Sequence, residues 1–220
     1  MVVITLGGCL NAGEREPLSD PADIFFDYKI WGEEGNDSVM VMLQFREYDA
    51  FGETLLISEP GSVVLDGQQI KPDSTAMTGP FYSVYRHVKD FTGKHSIVYT
   101  DVERHRYKEE FSFSPFTIRS GLEDTVSRSK LNILFDGLNK KDFVRILLTD
   151  TSFTSDGINR MDTIWNNKLT ISRGDLLALQ NGPINLEFIK ENERRIANAT
   201  AAGGTISILY TIRRELFLKD

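Results

Sequence analysis

The stretch Ser38-Val-Met-Val-Met-Leu-Gln-Phe-Arg46 decides the fold class of this chain. Apolar side chains along the chain mostly follow a period of two rather than 3.6, which is typical of β-strands with one buried face, and this stretch is predicted as a strong strand. Other short segments of the chain repeat the period, and turn residues separate them. We therefore predict an all-β protein.

The remaining predicted strands form two series. The first comprises residues 24–31, 51–58, 81–88, 95–101 and 107–114, with a tight hairpin over 63–70 that turns at Asp66-Gly67. The second comprises 130–135, 143–150, 184–190 and 205–213, and 163–165 paired with 168–172 across Asn166-Asn167. Residues 152–162 are predicted as a polar loop. Residues 172–179 and 122–131 are each predicted as at most a short helix.

Turn signals at this spacing favour two β-sandwich domains in tandem. The polar stretch 120–128 is the predicted junction. The expected organisation is a tether over residues 1–22, an immunoglobulin-like or fibronectin-like sandwich over 23–117, and a second sandwich over 118–220. A chain of 220 residues is long enough for two domains of about 100 residues each.

Composition and charge exclude several function classes. A net charge of −7 argues against nucleic-acid binding, which needs a basic surface. One cysteine forms neither an internal disulfide nor a cysteine zinc cluster. The sequence contains no phosphate loop, dinucleotide fingerprint or Gly-x-Ser-x-Gly nucleophile motif. We therefore expect no cofactor, no metal and no catalytic residue.

The single cysteine, Cys9, follows the apolar run Met1–Leu6 and two glycines. Leu6-Gly-Gly-Cys9 resembles the lipobox of a bacterial lipoprotein signal peptide, in which small residues precede a cysteine that receives lipid. A polar stretch with two prolines, residues 10–23, follows and predicts a flexible tether. No Lys or Arg precedes Cys9, so a basic region would lie upstream of Met1. The alternative interpretation is a short buried strand whose thiol is incidental.

The overall layout resembles the two-domain, immunoglobulin-like envelope lipoproteins of Gram-negative bacteria. The resemblance rests on Leu6–Cys9, the hairpin at Val64–Gly67, the segment Gly93–Asp101 and the strand pattern along most of the chain. It implies attachment to the outer membrane through lipid on Cys9, with the body facing the periplasm or the exterior. It transfers no catalytic residue.

Aromatic residues offer a candidate glycan-binding surface, because a flat ring packs well on a sugar ring. Trp165 is the best candidate, since Asn166 and Asn167 beside it predict an exposed turn with amide groups, and Trp31 is the second. Aromatic residues on strands more often pack in the core or in cross-strand pairs.

Two candidate metal sites have simpler interpretations. His87 and His95 flank a turn and would lie close together if their strands pair, with Asp101 or Glu103 as further ligands. The residues from Asp150 to Asp162 carry many side-chain oxygens, but their spacing does not match a calcium loop. We favour scattered histidines and a solvated loop.

The leading prediction is a non-enzymatic envelope lipoprotein that binds or scaffolds an envelope partner protein, with edge strands and loop ends as contact sites. The alternative is a glycan-binding accessory lipoprotein of a polysaccharide-uptake system. An enzyme would need a concave pocket where carboxylates or histidines from distant strands converge.

Overall fold

The chain is described by a computed structural model that covers residues 20–119, 121–152 and 155–220. Within these ranges it is almost entirely β-structure, which confirms the predicted fold class. The strands of the first half are β1 (Ile24–Glu33), β2 (Ser38–Glu47), β3 (Ser62–Leu65), β4 (Gln68–Gln69), β5 (Pro72–Thr75), β6 (Gly79–His87), β7 (Gly93–Thr100) and β8 (Arg106–Phe113).

The second half continues the same architecture. Its strands are β9 (Thr117–Ile118), β10 (Thr125–Ser127), β11 (Leu131–Asp136), β12 (Phe143–Asp150), β13 (Ile158–Thr163), β14 (Lys168–Ile171), β15 (Gly182–Arg195) and β16 (Gly204–Lys219). A 3₁₀ helix (Pro21–Asp23) precedes β1, and a short α-helix, α1 (Arg173–Leu177), lies between β14 and β15.

The strands of the described residues pair into one large sheet and two small ones. The large sheet has nine strands in the order β13-β12-β15-β16-β1-β2-β6-β5, with β10 also paired to β16. The small sheets have the orders β4-β3-β7-β8 and β14-β11-β9. Most neighbours are antiparallel, but β1 and β16 run parallel, so the large sheet is mixed.

Both small sheets pack on one face of the large sheet. In the first sandwich, the rings of Phe45 and Tyr99 lie 4.8 Å apart between centroids, and Phe26 meets Tyr99 edge to face at 5.3 Å. In the second, Phe135 meets Phe188 edge to face at 5.1 Å. Edge-to-face pairs of this kind add to the stabilisation from apolar burial.

The long hairpin of β15 and β16 runs through both sandwiches. Residues 204–211 of β16 pair with β1, and residues 217–219 pair with β10. The C-terminal strand therefore contributes to both cores. The division at residues 117 and 118 stays a prediction.

Local turn chemistry follows the sequence closely. Asp66 and Gly67 have φ of 48° and 81°, as a two-residue hairpin turn requires. Asn166 and Asn167, with φ of 52° and 59°, form the predicted turn. Helix α1 begins at a capping box in which the Ser172 and Asp175 side chains bond each other's backbone.

Three predicted segments are wrong. Residues 51–58 form no strand and share one bridge with β2, because the chain crosses there from the large sheet to a small one and Ile57 N–H donates to the Tyr82 hydroxyl. Residues 122–131 form no helix, because β10 pairs with β16 instead. The predicted loop at 152–162 contains β13, since residues 158–163 gain a partner in β12.

Candidate functional site

An apolar row crosses the open face of the large sheet. Tyr85, Met40, Trp31 and Leu209 are direct cross-strand neighbours on β6, β2, β1 and β16. Direct neighbours point to the same face of a sheet, so the four side chains stand side by side. We call these four residues the apolar row. Three strand spacings of about 4.8 Å give it a length of about 14 Å.

The row points away from the small sheets. Its residues alternate with Ile30, Val41 and Ile208, which belong to the core. Tyr85 is 63% exposed and Trp31 is 38% exposed, whereas Met40 and Leu209 are half-buried. Contiguous apolar groups on an open face mark interaction sites more often than scattered ones do.

Charged side chains flank the row at fixed positions. Lys29 precedes Trp31 by two residues and Glu33 follows it by two, so both point to the same face as Trp31. The Lys29 ammonium lies 3.1 Å from the Asp27 carboxylate, and the Arg213 guanidinium lies 2.7 Å from the Glu33 carboxylate. The row is therefore an apolar strip with polar margins, as is usual at protein interfaces.

The sequence contains a signal for this row that its period-two interpretation leaves unused. Segment 39–43 of β2 is apolar at every position: Val39, Val41 and Leu43 face the core, so Met40 and Met42 must face the other way. An apolar run without alternation indicates a strand whose second face is also kept from water. The register that adds Trp31 and Leu209 is non-local.

The predicted glycan-binding residues lie in two places. Trp31 is part of the apolar row, whereas Trp165, Asn166 and Asn167 lie at the turn before β14. The structure does not bring Trp31 and Trp165 together on one element. Trp165 is 57% exposed, and the Lys140 ammonium lies 5.1 Å from its ring centroid, within cation–π range.

Cys9, the predicted lipid-attachment residue, lies outside the described residues. None of the helices within residues 20–119, 121–152 and 155–220 has the length and apolar character needed to cross a bilayer.

A cleft of about 530 Å³ lies between the edge strand β8 and the C-terminal part of β15, at Asn192 and Arg194. It contains His95 and Asp66, whose side chains meet at 2.7 Å. The second ring nitrogen of His95 lies 2.8 Å from the Phe91 carbonyl oxygen, and the side chain is only 8% exposed. Both ring nitrogens have hydrogen-bond partners, so His95 joins the β3–β4 turn at Asp66 to the Phe91 carbonyl.

The other titratable candidates also have structural partners. The strands of His87 and His95 belong to different sheets and do not pair. Both carboxylate oxygens of Asp150 accept hydrogen bonds from Gln180, Ser152 and Ser155. Among the described residues, no three His, Cys, Asp or Glu side chains are grouped as a metal site requires.

Comparison with known proteins identifies no family. No family model matches the chain, and no curated protein matches it. Similar solved structures include the IG1 and IG2 domains of DIP-gamma, with 9% identity over 89% of this chain and 95% of that one and a TM-score of 0.25. A bacterial ice-binding adhesin has 13% identity over 91% of this chain and 66% of that one, with a TM-score of 0.27.

The adhesin InvE of Yersinia pseudotuberculosis has 11% identity, covers 87% of this chain and 59% of that one, and has a TM-score of 0.23. Structural similarities with TM-scores this low support no conclusion about the fold or function of this chain. The all-β assignment therefore rests on the strand pairing of this chain itself, and any function rests on its own surfaces.

Proposed function

We propose that this chain is a non-enzymatic binding or scaffolding module that docks a partner protein on the open face of its nine-stranded sheet. The observation that carries the proposal is the apolar row of Tyr85, Met40, Trp31 and Leu209. Aromatic residues and Met are enriched at the centres of protein interfaces, and charged residues are more frequent at their rims. The apolar row and the charged residues that flank it have the same arrangement, with aromatic residues and Met in the centre and charges at the margins.

The proposed location of the protein is the cell envelope. Lipid on Cys9 would hold the module at the outer membrane of the cell envelope, on the periplasmic or the exterior side. The resemblance of Leu6–Cys9 to a lipobox supports this attachment. Labelled palmitate fed to the native host is expected to enter the wild-type protein and not Cys9→Ala. Equal labelling of the wild type and Cys9→Ala would contradict lipid attachment at Cys9.

Site-specific photocrosslinking in the native host tests the docking face. A benzophenone amino acid at position 85 is expected to give a defined protein adduct, because Tyr85 lies at the end of the row. The matched control is position 48, since Tyr48 is an aromatic residue with 62% exposure that lies outside the row. Trp31→Thr, combined with the probe at 85, is expected to remove the adduct.

The outcome against the proposal is equally definite. If positions 85 and 48 give the same adducts, or if Trp31→Thr leaves the position-85 adduct in place, the row is not a specific docking surface. Circular dichroism and the midpoint of thermal unfolding establish that each variant is folded.

The second candidate function is glycan binding in a polysaccharide-uptake system. The exposure of Trp165 beside Asn166 favours it, because an exposed ring and an amide suit a sugar face and its hydroxyl groups. On an array of bacterial glycans, Trp165→Ala is expected to lose binding by roughly tenfold or more, as loss of a stacking anchor does. If glycan binding survives Trp165→Ala but is lost in Trp31→Thr, the glycan-binding site is the apolar row and not the Trp165 turn.

A further inference from the structure

We infer that the partner on the apolar row is a second copy of this chain. The two open sheet faces would pack against each other about a twofold axis that runs along the row. This inference rests on the proposed function, because it names the occupant of the same face. It follows from the symmetry of the side chains on the two sides of the row.

A half-turn about the row keeps each strand opposite its own counterpart and exchanges the two flanks. Tyr85, Met40, Trp31 and Leu209 then meet the same residues of the partner. An interface of this kind is isologous, so one surface must be complementary to itself. Sheets that pack face to face lie about 10 Å apart with strand directions within about 30°, which leaves room for two such layers of side chains.

The exchanged flanks are complementary in charge on the central strand. Lys29 and Glu33 lie two residues to either side of Trp31, so the half-turn places each Lys29 opposite the second copy's Glu33. Their side chains are 43% and 38% exposed and point from the open face. The symmetry generates this pair twice, once on each side of the Trp31 contact.

Within the two flanking rows, the neighbouring strands β6, β2 and β16 place no charged residue opposite a like charge. Beyond these rows, Arg213 of β16 pairs with Glu33 within each copy, so Glu33 would lie between Arg213 and the second copy's Lys29. The row formed by Ser83, Met42, Lys29 and Ser207 becomes opposed to the row formed by His87, Ser38, Glu33 and Thr211. Ser207 therefore faces Thr211, and both side chains are small enough to allow close approach. On the fifth strand, β15, Glu191 would face its own copy, and this marks the limit of the complementary surface.

The small area of this interface is typical of weak, transient complexes. Four strands with three rows of side chains bury on the order of 1,000 Å² in total, which is the low end of specific interfaces. We therefore expect a reversible dimer in the micromolar range. Sedimentation equilibrium of the full chain measures it from about 1 µM to about 1 mM, a range that brackets such affinities. Cys9→Ser in every sample excludes a disulfide dimer.

Charge reversal tests the geometry. Lys29→Glu sets two carboxylates against each other across the interface, and Glu33→Lys sets two ammonium groups against each other, so each is expected to raise the dimer Kd by roughly tenfold or more. In an equimolar mixture of the two variants, the heterodimer joins a carboxylate to an ammonium group at both charge contacts, because each contact takes one residue from each variant. The mixture is therefore expected to dimerise more strongly than either variant alone.

The double variant Lys29→Glu with Glu33→Lys supplies the rescue. It exchanges the two charges within each chain, so both contacts across the interface again join a carboxylate to an ammonium group. We expect its dimer Kd to return close to that of the wild type. The control Lys108→Glu, on a small sheet, is expected to leave the Kd unchanged.

Three results would overturn the inference: a monomer across the whole concentration range, a dimer unaffected by Trp31→Thr, or a double charge variant that dimerises no more strongly than either single variant. A monomer whose position 85 crosslinks to a different protein overturns this inference and keeps the proposed function. A monomer that gives no adduct in the host overturns both. Unchanged thermal midpoints show that the variants are folded.

Discussion

At the scale of single residues, Asp150 shows how the fold fixes the charge state of a side chain. The Gln180 N–H, donating at 2.8 Å, and the hydroxyls of Ser152 and Ser155 hold the pKa of the Asp150 carboxyl well below its ordinary value. Hydrogen bonds to the ionised form favour that form. Asp150 thus joins the end of β12 to the segment before β15, which is a structural task.

This lowered pKa gives a prediction with a definite sign. In the unfolded chain, Asp150 takes up a proton near the ordinary pKa of about 3.9, whereas the folded chain resists it. Its contribution to stability is therefore present above that pH and lost as the pH falls toward the lowered value. We expect Asp150→Asn to lower the free energy of unfolding at neutral pH and to approach the wild type in acid.

Urea unfolding at neutral and acidic pH measures the difference between the two proteins. Asp156→Asn is the matched control, because it changes a nearby carboxylate, while the donors to Asp150 are Ser152, Ser155 and Gln180. A difference that stays constant with pH would show that the Asp150 hydrogen bonds do not control its protonation.

At the scale of elements, one ion pair joins the two layers of the first sandwich at its side. Arg194 on β15 pairs with Glu109 on the edge strand β8 and donates to the Glu110 carbonyl oxygen at 2.8 Å. The Glu109 side chain is only 5% exposed, so it depends on this partner. Inward-pointing charges of this kind also protect edge strands from pairing with other chains.

Removal of the arginine is predicted to cost more than an ordinary surface change. Arg194→Ala leaves the buried Glu109 carboxylate without its cationic partner, with only the Ala197 N–H donating to it at 3.4 Å. We expect a loss of roughly 2–3 kcal/mol in the free energy of unfolding, less than for a fully buried pair because Arg194 is partly exposed. Adding Glu109→Gln removes the orphaned charge and is expected to recover part of the loss. Equal stability of the single and double variants would contradict this account.

Strand positions and tight turns are the features of this fold that the sequence predicts best. The local apolar pattern locates β2, β7, β8 and β12 to within about two residues at each end, because it depends only on residues that are adjacent in sequence. The Asp66-Gly67 turn is equally predictable, since its conformation favours those residues. Residues 51–58 have a strand-like composition, but they form only one bridge to β2, and the Ile57 N–H bonds to a side chain instead of a neighbouring strand.

The candidate site depends even more on distant pairing. Trp31 can be identified from sequence as a candidate aromatic, but its neighbours Met40, Leu209 and Tyr85 come from three other strands. The parallel pairing of β1 with β16 joins opposite ends of the chain, and no local pattern specifies it. The Trp165 turn is predictable because its two asparagines are adjacent.

At the scale of the whole molecule, the shared strand β16 should make the two sandwiches unfold together. Its first half pairs with β1 and its second half lies in the other sandwich, so neither core keeps its full sheet when the other unfolds. The two tryptophans make this testable, since Trp31 lies in the first sandwich and Trp165 in the second. Trp165→Phe and Trp31→Phe each leave one fluorescent reporter.

We expect both reporters to give the same urea midpoint, because coincident transitions are the signature of one cooperative unit. Ile206 is fully buried where β16 pairs with β1, so Ile206→Ala should destabilise the protein by about 2–4 kcal/mol. The decisive point is that the Trp165 reporter should shift as far as the Trp31 reporter, although Ile206 lies in the first sandwich. If only the Trp31 reporter shifted, the sandwiches would be independent domains, and the shared strand would not couple them.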